Sequence, residues 1–335
     1  MRTKTIWFDL TNVPHVSFLK PICEHFESQH NYVFTVRDFA ETKGLFEKRF
    51  GFTPSIIGKH AGENKFMKVL GSFKRIYTLN KNVGDFDIKI SIGGDASSIV
   101  AKLRGKFSIT FDDNEKAPNW RYSKFSDLAF WPDTIPLNIL KNQGFKEHKL
   151  FRYNGYKEDM YIADFKPDAG FLGVLPFEKY VLVRPENIQA NYVEGNKSIV
   201  PLLLKKLSYA GHNILFLPRY EHDKVYAKDI PNIFIPEKPL NGLDACYYAD
   251  LVLTGAGTLA REAACLGIPA ISFYAGKELL TVDQDMINKG WMFFSRNPDE
   301  ILERMKSFPK TEPDLDRSKR VKKQIMEKLG EILSL

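Results

Sequence analysis

Short β-type runs alternate with helical patterns along nearly the whole chain. Parallel α/β units require this alternation, because each parallel strand needs a crossover before the next. In the first half, Thr5 to Asp9, Tyr32 to Val36, Thr53 to Ile57, Asp87 to Ile92, Phe107 to Phe111 and Leu128 to Trp131 read as strands. Pro14 to Ser28, Ala40 to Phe50, Asn64 to Asn82 and Ala96 to Arg104 carry helical periodicity between them. The second half restarts with strands at Tyr180 to Val183, Ile214 to Leu217, Ile233 to Ile235, Leu251 to Leu253, Ala270 to Phe273 and Met292 to Phe294. Near Tyr156 to Pro176 the texture changes, and Lys157-Glu158-Asp159, Asp164, Pro167-Asp168 and several glycines give the composition of an exposed connection. The expected layout is two doubly wound α/β domains, residues 1–158 and 179–312, a linker over 159–178, and a helix over 313–335 that packs on the body. A chain of 335 residues is long enough for two cores with a cleft between them.

The composition, 44% hydrophobic and 27% charged, excludes disordered, collagen-like and membrane-spanning classes. No run approaches the ~18 apolar residues of a bilayer span. Met1-Arg2-Thr3-Lys4 passes straight into Ile6-Trp7-Phe8-Asp9, too short an apolar run for a signal peptide. Cys23, Cys246 and Cys265 are far apart with no zinc-type spacing, and read as reduced thiols of a cytoplasmic protein.

Charge is distributed unevenly. Residues 1–160 carry 25 Lys and Arg against 18 Asp and Glu, whereas residues 161–335 carry 23 of each, so the whole net charge of +7 lies in the first half. Such an asymmetry suits an anionic partner as well as simple solubility. It is densest over Lys59 to Lys81, where Lys65, Lys68, Lys74, Arg75 and Lys81 interleave with Phe66, Met67, Leu70, Phe73, Ile76 and Tyr77. A helix of this pattern either lies on an anionic membrane or packs on its own sheet with its lysines in water. The last helix, Leu315 to Leu333, sets Arg317, Lys319, Arg320, Lys322 and Lys323 on a polar face and Val321, Ile325, Leu329 and Ile332 on a packing face. No nucleic-acid-binding motif is present.

The strongest local signal for chemistry is Leu251-Val252-Leu253-Thr254-Gly255-Ala256-Gly257-Thr258-Leu259-Ala260-Arg261-Glu262, followed by Gly267-Ile268-Pro269. A strand runs through a small-residue turn into a helix, so free N–H groups at the helix start suit a phosphate, and the glycines of Gly255-Ala256-Gly257 let it approach the backbone. Thr258 adds a hydroxyl donor, and Glu262, one turn further, suits the hydroxyls of a ribose. A tight turn without a ligand is the alternative. Arg184, in Arg184-Pro185-Glu186-Asn187, and Arg219, after Pro218, each follow a strand and suit a diphosphate, or else a surface ion pair with Glu186 or Glu221. In the first half, Asp9, Asn12 and His15 share one turn, and Asp95 and Asp112-Asp113 close two others. His15 has the ordinary pKa of a general base, while the carboxylates suit either acid–base work or helix capping.

The Gly-x-Gly-Thr, Glu and Gly-x-Pro combination resembles the nucleotide-sugar half of the GT-B glycosyltransferase superfamily, which includes the UDP-N-acetylglucosamine 2-epimerases. With Phe8-Asp9-Leu10-Thr11-Asn12-Val13-Pro14-His15, Phe111-Asp112-Asp113, Val183-Arg184-Pro185-Glu186, Leu217-Pro218-Arg219-Tyr220 and Tyr247-Tyr248-Ala249-Asp250, the whole chain resembles the domain-of-unknown-function family 354 within that superfamily. The resemblance implies a GT-B fold of two Rossmann-like domains facing each other across a cleft. It implies a nucleotide sugar, UDP-linked, held by Gly255, Ala256, Gly257, Thr258, Glu262, Arg184 and Arg219, and an acceptor near His15, Asp95, Asp9 and Asp113.

The resulting expectation is a metal-independent glycosyltransferase with no tightly bound cofactor, acting on a cell-envelope, glycan or lipid-linked acceptor. It would be cytoplasmic and peripheral on the inner membrane face, with no nucleic-acid partner. A 2-epimerase-like enzyme is the nearest rival, although the His that precedes the matching Arg-Glu-Asn segment in epimerases is absent here. A non-catalytic nucleotide-sugar-binding protein is the third reading.

Overall fold

The protein is described by a computed structural model over residues 2–38, 42–59, 65–187 and 197–334. The chain divides into two compact units, Met1–Tyr161 with Arg317–Leu335, and Ile162–Asp316. Unit 1 holds seven parallel strands, β1 (Thr5–Leu10), β2 (Asn31–Asp38), β3 (Ser55–Lys59), β4 (Ile88–Ile92), β5 (Phe107–Phe111), β6 (Leu128–Pro132) and β7 (Leu150–Tyr153), ordered β3-β2-β1-β4-β5-β6-β7. The sequence pattern anticipates six of these. β7 lies at the sheet edge, is only partly buried over its first three residues and carries Arg152, so it shows no apolar run. Strand β3 also starts at Ser55 rather than Thr53.

Helices α1 (Val13–Phe26), α2 (Thr42–Phe50), α3 (Lys65–Asn82) and α4 (Asp95–Leu103) supply the crossovers. Successive side chains of a strand point to opposite faces, and β1 divides accordingly. Phe8 stacks on Phe34, which meets Phe46 of α2, while Trp7 packs with Leu79 of α3 and Val100 of α4. Asp9 shares the face of Trp7, and that places a fully buried carboxylate under α3.

Arg75 of α3 answers it. Its Nη2 lies 2.6 Å from Asp9 Oδ1, its Nη1 3.2 Å from Oδ2, and its Nε donates to the carbonyl of Ile57 at 3.2 Å. Thr35 Oγ1 donates to Asp9 Oδ1 at 2.7 Å and accepts from Trp7 Nε1 at 2.9 Å, so three strands and a helix share one network. Gly58, at φ +89°, makes room, since a Cβ there would sit 2.9 Å from Arg75 Cδ. Burial alone would push Asp9 up, but the Arg75 guanidinium and the hydroxyls outweigh it and hold the carboxyl below its usual range. Arg75, one of the basic residues expected on a solvated or membrane-facing surface, is thus an internal ion-pair partner.

Unit 2 has β8 (Val181–Arg184), β9 (Ile214–Phe216), β10 (Ile233–Phe234), β11 (Leu251–Thr254), β12 (Ala270–Ser272) and β13 (Met292–Phe294), ordered β10-β9-β8-β11-β12-β13 and all parallel. Its core joins Val183, Leu203, Leu207, Phe216, Leu253, Ile271 and Ile301. The segment expected as an exposed linker opens with buried residues, because Asp159, Met160 and Ile162 are fully covered. Further along it, Phe171 stacks on Tyr248 with ring centres 5.7 Å apart.

The C-terminal helix, Leu315–Ser334, returns to unit 1 from Arg317 onward. Arg317 donates through Nη2 to Asp159 Oδ1 at 2.9 Å and Ser318 Oγ donates to the same oxygen at 2.6 Å, while Asp159 Oδ2 accepts from Tyr156 N at 2.8 Å. Arg317 therefore leaves the polar face assigned to it by periodicity. Its guanidinium compensates a carboxylate that burial would otherwise leave alone.

Lys89 of β4 is also fully buried, with Nζ 2.8 Å from Ser98 Oγ and 3.3 Å from Thr110 Oγ1. Burial among these neutral acceptors pushes its pKa down to about 7, from the 10.5 of a lysine in water. Unfolding then takes up a proton between those two values, so the lysine's contribution to stability should grow as pH rises through that window. Denaturant melts of the native chain should show this slope, and Lys89→Met should flatten it. Asp9→Ala, which strands Arg75, should cost about 3–5 kcal/mol by the same measurement.

Candidate functional site

Each sheet reverses its winding direction once, between β1 and β4 in unit 1 and between β8 and β11 in unit 2. Loops leaving adjacent strands at such a point diverge and open a crevice at the carboxyl ends of the strands. The residues singled out from sequence cluster at these two points.

In unit 2, Thr254 and Arg184 end paired strands, and Gly255 N donates to the Arg184 carbonyl at 3.1 Å. A Cβ on Gly255 would lie 2.5 Å from Glu186 Cα, so the absent side chain lets the two turns touch. Glu186 is buried, accepts from Ser198 Oγ and Ile199 N, and lies 3.3 Å from Arg296 Nη2. Ala256 N donates to Thr254 Oγ1 at 2.9 Å. The N–H groups of Gly255 and Ala256 are therefore engaged within the protein. The helix Gly257–Cys265 makes its first intrahelical bond from Ala260 N to the Ala256 carbonyl at 3.1 Å. Gly257, Thr258 and Leu259 precede that bond and have no intrahelical acceptor for their N–H groups.

Arg261, which sequence reasoning missed, braces this turn from inside. Its Nη1 is 2.7 Å from Asp283 Oδ1, both residues are buried, and its Nη2 reaches Thr258 Oγ1 at 3.4 Å. Nothing local in Leu-Ala-Arg-Glu distinguishes a buried arginine from an exposed one. Glu262 is partly exposed, and its Oε2 lies 4.0 Å from where a Gly242 side chain would begin. Arg219 follows β9, one strand beyond β8; its N–H donates to Asp223 Oδ2 at 2.9 Å, and its buried Nε has no hydrogen-bond partner among the described residues.

In unit 1, Pro14 opens α1 as expected, and His15 behind it is buried. His15 Nδ1 accepts from Thr11 N at 3.3 Å, so the proton of the neutral ring sits on Nε2. Burial holds its pKa down at about 3; Lys157 and Arg75 push the same way, and Asp9 and Asp113 oppose them. This departs from the expected general base, because the ring is neutral with its acceptor nitrogen occupied and offers a donor instead. Asp9 also drops out as a reacting carboxylate, since it is fully buried and both its oxygens bind Arg75.

Asp113 is paired with Lys157 Nζ at 2.8 Å. Lys157 is buried, although its charged neighbours in sequence read as exposed chain. Asp112 accepts from Tyr122 OH at 2.5 Å and from the N–H groups of Asp113 and Asn114. Burial, with the adjacent Asp113 carboxylate, pushes it up to about 6. Asp95 stands at the start of α4 with its side chain 37% exposed and 3.8 Å from Arg121; burial raises its pKa and Arg121 opposes the rise. The structure thus brings His15, Asp113 and Lys157 into one charged cluster and leaves Asp95 as the more open carboxylate. Among the described residues, no group of three or more His, Cys, Asp or Glu side chains is placed to hold a metal ion.

The chain is similar to known proteins along nearly its full length. An uncharacterized protein of Methanocaldococcus jannaschii is 29% identical over 313 residues, 89% of each chain. The crystal structure of the UDP-GlcNAc 2-epimerase from Neisseria meningitidis bound to UDP-GlcNAc matches with a TM-score of 0.75 at 13% identity, covering 98% of this chain and all of that one. A structure of the glycotransferase of kitacinnamycin matches with a TM-score of 0.63 at 11% identity, over 100% of this chain and 99% of that one. At such identities the likeness establishes the fold, which is GT-B, with one parallel-sheet α/β unit of seven strands and one of six. Residues 4–332 match the family described as Protein of unknown function (DUF354), and the chain belongs to that family.

Proposed function

We propose that the protein is a glycosyltransferase that uses a nucleoside-diphosphate sugar, with UDP as the nucleotide. The observation that carries this reading is the start of the Gly257–Cys265 helix, where three N–H groups without intrahelical acceptors stand one turn before Glu262. A diphosphate fits the donors and the helix dipole, while the carboxylate of Glu262 accepts from ribose hydroxyls. Arg184, Arg219 and the Thr258 hydroxyl would add charge-assisted and neutral donors to the leaving group without calling on a metal. The enzymes of similar fold, one bound to UDP-GlcNAc, support this class of donor.

Unit 1 would receive the acceptor. In the transfer, an acceptor hydroxyl oxygen bonds to the anomeric carbon, the bond from that carbon to the diphosphate oxygen breaks, and the diphosphate leaves with the electron pair. The hydroxyl proton goes to a carboxylate, and Asp95 is assigned this role because it is the more exposed and burial raises its pKa. His15 Nε2–H would donate to an oxygen of the acceptor, and the Asp113–Lys157 pair fixes the surrounding loop.

A 2-epimerase activity is the second reading, favoured by the similar fold of the Neisseria enzyme. Titration calorimetry with UDP should give binding that Glu262→Ala weakens by roughly tenfold. If UDP and other nucleotides give no heat with the native chain, the donor site is wrongly assigned. UDP-GlcNAc incubated with the protein alone should remain unchanged by NMR; formation of the 2-epimer would decide for the second reading.

A further inference from the structure

Helix α3 carries its apolar residues on the wrong side for a helix that only packs on its sheet. Ile76 and Leu79 join the cluster with Trp7 and Val100, but Leu70 is 47% exposed, Phe73 66% and Tyr77 69%. At about 100° per residue these three fall within one ~60° stripe roughly opposite Leu79. Lys74 and Lys81 are exposed and share that outer sector. On the helical wheel Lys81 and Lys74 border the stripe on one side.

Charge narrows what covers it. Residues 65–82 contain four lysines, Arg75 and no acidic residue. Arg75 is neutralised by Asp9, and the exposed Lys74 and Lys81 carry positive charge toward solvent. A second copy of the chain would bring two such lysine-rich faces together, which repel. An anionic bilayer surface complements both features, since lysines attract the headgroups while Phe, Tyr and Leu enter the interface between headgroup and acyl chain. No helix among the described residues is long and apolar enough to cross a membrane, so this contact would be peripheral.

We propose that the outer face of α3, through Leu70, Phe73, Lys74, Tyr77 and Lys81, is a docking surface for an anionic lipid bilayer. It does not depend on the donor reading, and it gives the basic excess of the first half a role that nucleotide binding in unit 2 does not supply.

Sedimentation of the full chain with vesicles tests it. Vesicles containing phosphatidylglycerol should bind the protein, pure phosphatidylcholine vesicles should bind it far less, and added salt should release it. The Lys74→Glu and Lys81→Glu substitutions should each lower partitioning roughly fivefold or more. Phe73→Ser with Tyr77→Ser should reduce it at least as much, with an unchanged thermal melt because both side chains are exposed. Failure to bind anionic vesicles, or binding indifferent to all four substitutions, would overturn the proposal. So would sedimentation equilibrium showing a dimer that Phe73→Ser dissociates, or binding to a polyacidic protein in place of vesicles. Calorimetric UDP binding, measured on the same variants, should stay intact, so that loss of docking and loss of the donor site are read separately.

Discussion

The ion pair between Asp9 and Arg75 is the constraint around which unit 1 is built. A carboxylate at full burial needs a partner, because leaving it alone costs several kcal/mol. The partner comes from α3, sixty-six residues away, and the guanidinium also binds the carbonyl of Ile57 on the edge strand. The pair thereby fixes α3 against β1 and β3 and, through Thr35 and Trp7, against β2. With Arg75 turned inward, the opposite side of the same helix is left with Leu70, Phe73 and Tyr77 facing solvent.

The same logic recurs wherever a charge is buried. Asp159 is met by Arg317 and Ser318, which draws the C-terminal helix onto unit 1. Asp113 is met by Lys157, and Asp283 by Arg261 beneath the glycine-containing turn. Each pair positions a segment at the carboxyl ends of strands, where the candidate groups lie. Lys89, Asp112 and Asp244 differ, since hydroxyls or backbone groups meet them, and Lys89 responds with a lowered pKa. In the same region the depressed pKa of His15 and the raised pKa of Asp112 follow first from burial, not from their chemical type.

Much of the fold was legible in the sequence. Five strands of unit 1 stand close to where apolar runs place them, a sixth is displaced by two residues, and all six strands of unit 2 are present. The Gly255-Ala256-Gly257-Thr258 turn and Glu262 were also readable, because a buried strand, small residues and a polar helix face fall in a fixed local order. Less was readable where the determining contact is distant. Arg75 and Arg317 lie at polar positions of amphipathic helices, and only their distant carboxylates distinguish them from solvated neighbours. Lys157 was hidden for a similar reason, because a Lys-Glu-Asp run ordinarily lies at the surface.

By itself the sequence determined the architecture, two parallel α/β units, and the local chemistry of each strand-to-helix turn, since both depend on periodicity and on residues within one or two turns of each other. Tertiary structure decided which of the charged groups remain available. It consumed Asp9, Gly255 N–H and Ala256 N–H within the protein, turned His15 from a candidate base into a donor, and left Asp95 open. It also decided which side of α3 meets solvent. The physical reason is common to all of these: burial and ion pairing depend on groups brought together from distant parts of the chain, and no local pattern encodes which charge will find which partner.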